Sequence, residues 1–149
     1  MRFVMILSLT ALFAVPQAFA GNPDKILNTQ ELIALAAKAE QATPKDQCYL
    51  YAELVRAMTE QASQQMNSGD DSATAASLQE IRQYTAKLHK DITEKSKRLR
   101  DAQIMMRYTA FRLKELMKNA SLENQAVFES TLKQLDQVQS QMMLAVFQK

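Results

Sequence analysis

Between Ser72 and Asn119 the chain runs 48 residues without a glycine or a proline, flanked by Gly69-Asp70-Asp71 before and Ala120-Ser121 after. Along it Leu78, Ile81, Thr85, Leu88, Ile92, Lys95, Leu99, Ala102, Met106, Thr109, Leu113 and Leu116 follow at alternating spacings of three and four. That is the heptad phase of a single helical seam. It predicts one continuous helix of about 70 Å at 1.5 Å per residue, whose seam two shorter neighbours must share. A break near Asp91 is the alternative, because Lys87, His89 and Lys90 resemble a helix C-terminus and Asp91-Ile92-Thr93-Glu94 resembles a capping box. The phase does not slip there and helix breakers are absent, so continuity is the expectation.

Shorter patterns flank this stretch. Asn28 with Glu31 three residues on reads as a capping box opening a helix over 29 to 41, with Leu32, Leu35, Ala36 and Ala39 on one face. Thr43-Pro44 reads as cap and first position of a second helix, which ends near Ser68 where Gly69 supplies the left-handed stop. Cys48, Tyr51, Val55, Met58, Ala62 and Gln65 form its inward face. A last helix begins after Ser121 as cap and reaches about Gln148, with Phe128, Leu132, Leu135, Val138, Met142 and Val146 inward. The expected fold is therefore all-α: an elongated helical bundle in which a long central helix is flanked by two antiparallel helices, with a short N-terminal helix added. A break at Asp91 would instead make an up-down-up-down bundle. No strand alternation is visible after the first 20 residues, and no repeat near 34 residues emerges.

The first 20 residues carry one arginine, an apolar run from Phe3 to Val15, Pro16, and Ala18-Phe19-Ala20 before Gly21. This is the pattern of a secretory signal peptide, too short in its apolar part to span a bilayer. The expectation is an exported protein, periplasmic or extracellular, with one helical domain over 21–149. Removing Arg2 from the 18 basic residues leaves 17 against 16 acidic ones, so bulk charge selects no partner. Its distribution is less even: residues 80 to 118 hold 11 basic and 5 acidic side chains. Arg100, Arg107 and Lys114 recur every seven residues in this stretch. The stripe suits phosphates, lipid headgroups or an acidic partner, or is simply a solvated face. Export argues against nucleic acid, and a membrane surface is compatible with the stripe without being indicated by it.

Chemistry is sparse. One histidine, His89, and one cysteine, Cys48, exclude two-histidine zinc sites, paired-cysteine redox motifs and disulfide frameworks within one chain. No glycine-rich phosphate loop and no catalytic constellation appear, so no enzyme and no cofactor are expected. Folding the hairpins about Gly69 and Ala120 places Cys48, His89, Met142 and Met143 near the middle of the long helix, a donor set suited to a soft ion such as Cu(I). Core packing for the thiol and thioethers, and a surface position for the imidazole, are the simpler readings. Ile104, Tyr108 and Phe111 lie on a different side of the helix from Leu99, Met106 and Leu113. They predict cover by the first helix or, preferably, by a second subunit or partner. The functional expectation is a non-enzymatic protein acting through protein-protein contact or self-association, with a small soft-metal or ligand-binding bundle as the alternative.

Overall fold

The computed structural model describes residues 25–93 and 95–148; the expected signal peptide lies outside them. Five helices follow in order: α1 Thr29–Gln41, α2 Pro44–Asn67, α3 Asp71–Asp91, α4 Leu99–Met117 and α5 Leu122–Phe147. No strand occurs among the described residues, so the fold is all-α. The local signals act where they stand. The Asn28 side chain accepts the Glu31 N–H at 2.9 Å while Glu31 accepts the Asn28 N–H at 2.9 Å, closing the capping box at the start of α1. Gly69 takes φ +76° and lets its own N–H and that of Asp70 return to the last carbonyls of α2. Asp70 then caps α3, its side chain accepting the Ala73 N–H at 2.9 Å. Thr43 stands at the cap position of α2, but its hydroxyl donates to the Asp46 carboxylate at 2.7 Å instead of capping the backbone.

The expected continuous helix is broken. α3 ends at Asp91, α4 begins at Leu99, and Ile92 already has extended backbone. The capping box read at Asp91 is not the device, because Asp91 closes α3 and opens nothing. Ser96 makes the stop: its hydroxyl donates to the Asp91 carbonyl at 3.1 Å and accepts the Thr93 N–H at 3.2 Å. The linker then crosses to the first turn of α2, where the Lys97 N–H donates to the Lys45 carbonyl at 2.8 Å and the Lys97 ammonium pairs with Asp46 at 3.2 Å. Arg98 enters α4 in the left-handed region at φ 53° and ψ 29°. Its guanidinium lies over the Tyr49 ring, 3.7 Å from the centroid.

This crossing sets the topology. Lys97 meets Asp46 and, fifteen residues on, Arg112 meets Glu60 and Ser63, so α4 runs parallel to α2. Asn124 donates to the Asp71 carbonyl and Gln134 to that of Arg82, so α5 runs parallel to α3. Two hairpins, α2–α3 and α4–α5, thus stand side by side, with α2 against α3 and α4, and α5 against α3 and α4. The flanking helices do not each cover one half of a long rod, as expected; both hairpins enclose one core.

Heptad positions point inward on both sides of the break. Leu78, Ile81, Thr85 and Leu88 are buried before it, and Leu99, Ala102, Met106, Thr109, Leu113 and Leu116 after it, facing Val55, Met58, Phe128, Leu135, Val138 and Met142. The core threonines are satisfied within their own helices: Thr59, Thr85, Thr109 and Thr131 each donate to the carbonyl four residues back at 2.7–2.9 Å. Helix α1 folds back along α2, burying Leu32 and Ala39. Replacing Ser96 by Ala should lower stability by about 1 kcal/mol, since it strips a partner from the Asp91 carbonyl and the Thr93 N–H together. Urea unfolding followed by circular dichroism measures this, and a midpoint equal to wild type would show that the hydroxyl does not hold the break.

Candidate functional site

Helix α4 has an inner and an outer face. With its buried residues turned to the core, Arg100, Ile104, Arg107, Tyr108, Phe111 and Lys114 are all exposed. The spacings 100, 104, 107, 111 and 114 alternate four and three, so these residues form one stripe about four turns long, with Tyr108 beside it. The sequence offers the basic residues and the apolar ones as separate features; on the helix they interleave. Ile104, Tyr108 and Phe111 keep 55%, 52% and 62% of their surface in water. Neither α1 nor any other described element covers them.

Charge on the stripe is not balanced locally. Asp101 is taken by Arg98 at 3.1 Å and Glu115 by Lys118 at 2.8 Å. Among the described residues, Arg100, Arg107 and Lys114 form no ion pair within 4 Å. Next to the apolar residues runs a groove of about 370 Å³ between α4, α2 and the segment leading into α1. Tyr108, Phe111 and Ile26 are its apolar walls, and the paired Glu60 and Arg112 are part of its lining. Arg112 donates to Glu60 at 3.3 Å and to the Ser63 hydroxyl at 3.1 Å, which locks the groove wall to α2. Ile26 is the member that the sequence did not single out, because it precedes α1 and reaches the groove only through the fold-back of that helix.

The soft-metal donor set is divided between core and surface. Cys48 and Met142 are fully enclosed, whereas His89 is exposed and Met143 keeps 42% of its surface. Among the described residues no group of three or more His, Cys, Asp or Glu side chains is placed to hold a metal ion. Burial pushes the Cys48 thiol up to about 12, with the Asp91 carboxylate adding to the rise. A thiol held protonated is a poor ligand and a poor nucleophile. Tyr51, stacked on Tyr84 with centroids 6.1 Å apart, is shifted upward by burial as well.

Compared with known proteins, the chain matches no family model, and no curated protein or solved structure matches it.

The Cys48 environment has a sign that can be tested. Its folded pKa lies above the ordinary 9.0, so the stability it contributes is fully present below pH 9.0 and is lost as pH rises toward about 12. At pH 8 the folded thiol should react with iodoacetamide only through unfolding. Labelling across a urea series should therefore follow the unfolding curve, and rapid labelling without denaturant would contradict the enclosed thiol.

Proposed function

We propose that this is an exported, non-enzymatic helical protein whose α4 outer face docks a protein partner. The observation that carries the reading is the single exposed stripe of Arg100, Ile104, Arg107, Phe111 and Lys114 with Tyr108 beside it. Together with Ile26 the apolar members expose an area on the order of the few hundred Å² that marks interaction sites on monomers. The basic members lack local acidic partners, so the complementary surface is acidic. A helical segment with apolar residues at three-four spacing and carboxylates between them fits both features. A second copy does not fit this stripe: laid antiparallel it sets Arg100 against Lys114, and laid parallel it sets each basic residue against itself.

Export rests on residues 1–20, with the periplasm or the cell exterior as destination. No helix among the described residues is long and apolar enough to cross a membrane. The non-enzymatic reading rests on the single histidine, the single cysteine and the absence of a catalytic pattern in the sequence.

The test is photocrosslinking in the native envelope from position 104, with the captured segment identified. An acidic helical segment is the expected capture. Tyr108→Glu together with Phe111→Glu should weaken the complex by about 2 kcal/mol or more, as loss of buried aromatic anchors does, and Arg107→Glu should weaken it with a strong dependence on salt. Unchanged circular dichroism would show that the bundle stands. Capture of lipid alone, or equal capture by all three forms, would overturn the reading.

A further inference from the structure

The linker of residues 92–98 joins two helices whose sequences were compatible with one. It spans seven residues, a full heptad, and contains neither glycine nor proline. The seam therefore keeps its phase from Leu88 through Ile92 and Lys95 to Leu99, whether the segment is folded back or helical. The folded-back form is held at a cost visible in the backbone. Arg98 is the one residue other than glycine with positive φ among those described, a conformation that an L side chain resists. It also stands at the cap position of α4 without a side-chain cap bond, so straightening the linker would remove a strained residue and an uncapped helix end together.

A second observation lies at the same end of the bundle. Asn124 sits level with Asp71 and Gln134 with Arg82, a register of 52 to 53 residues that sets Asp91 level with Met143 or Leu144. The last turn of α5 therefore lies level with the linker: Ala145 and Val146 pack against the core, and the opposite side of the turn faces outward. There Met143, Leu144 and Phe147 keep 42%, 61% and 79% of their surface in water. These outward-facing apolar side chains lie beside the linker end, where a second bundle stacked end to end would meet them.

We propose that this chain exchanges hairpins with a second copy of itself. In the exchanged dimer α3, residues 92–98 and α4 run as one helix, and each α4–α5 hairpin packs on the α2–α3 hairpin of the other copy. Every contact of α2 with α4 and of α3 with α5 is then remade between copies, because a two-fold axis at the linker brings the same faces together in the same directions. The exposed apolar residues at the α5 ends approach one another across that axis. Opening replaces the Lys97 contacts to Lys45 and Asp46 with helical hydrogen bonds along the linker and releases Arg98 from the left-handed region. The docking stripe on α4 faces outward in both forms, so this inference does not rest on the proposed function.

Cysteines at Glu60 and Arg112, whose side chains meet across α2 and α4 at 3.3 Å, report which copy supplies each helix. The variant carrying Glu60→Cys and Arg112→Cys is refolded at rising protein concentration, separated by sedimentation, treated with a bismaleimide crosslinker long enough to span the vacated ion pair and run on a denaturing gel. The monomer fraction should close within one chain and the dimer fraction should run as covalent dimers. Arg98→Gly with Lys95→Gly should lower the dimer fraction about tenfold, since glycine suits the left-handed turn and disfavours the straight helix. Deleting residues 92–98 should leave only dimer, because the apolar phase survives and the crossing does not. Absence of dimer at every concentration would overturn the proposal. So would covalently closed monomers recovered from the dimer fraction, or a helical deletion variant that stays monomeric. If the deletion variant fails to fold, the cysteine gel decides alone.

Discussion

The architecture depends on one crossing. After Asp91 the chain travels beneath the bundle, is pinned by the Lys97 N–H to the Lys45 carbonyl and by Arg98 on Tyr49, and re-enters as α4 alongside α2. These contacts are few, and most of them are exposed, so their own contribution is small. Their effect is positional. They set the second hairpin against the first, and the apolar faces of both then enclose Leu78, Ile81, Leu88, Met106, Leu113, Phe128, Leu135 and Met142 together. Full burial of each such side chain is worth about 1.5–3 kcal/mol, which outweighs the left-handed residue and the interrupted helix needed to reach it.

The same crossing makes the outer face of α4. A helix with neighbours on two sides hides roughly half its circumference, and here the hidden half takes Leu99, Ala102, Met106, Thr109, Leu113 and Leu116. Ile104, Tyr108 and Phe111 are left outside with Arg100, Arg107 and Lys114. Helix α1 does not relieve this, because its buried face, Leu32 and Ala39, is spent on α2. The residues leading into α1 line one side of the groove, at Lys25 and Ile26, without covering the stripe. Bundle stability and surface chemistry thus occupy opposite sides of one helix, so substitutions on the stripe are separable from the core.

Cys48 and His89 show how close register and different burial diverge. Both lie near the linker end of the first hairpin, yet Cys48 faces the core and His89 faces water. The thiol is driven upward by burial and by Asp91, and reactivity is suppressed by the packing that makes the residue useful there. Helical spacing alone places residues at a height along a bundle; it does not say that their side chains point to a common space.

Much of the fold was legible in the sequence because its causes are local. Asn28 with Glu31, Pro44, Gly69 and Asp70 mark helix ends through bonds to residues within about five positions, so α1, α2 and the start of α3 stand within a residue or two of where their signals put them. Heptad phase was equally local, and every inward residue it named from Leu78 to Leu88 and from Leu99 to Leu116 is buried. Continuity across Asp91 was not local. A seven-residue linker returns the phase to where it began, so periodicity reads the same through a straight helix and through a reversal. Only tertiary structure decided between them, since the reversal is set by contacts of residues 96–98 with Asp91, Lys45, Asp46 and Tyr49 and by burial that requires both hairpins at once. The stripe on α4 divides the same way: its residues and spacing were in the sequence, but their joint exposure followed from which side of the helix the second hairpin left uncovered.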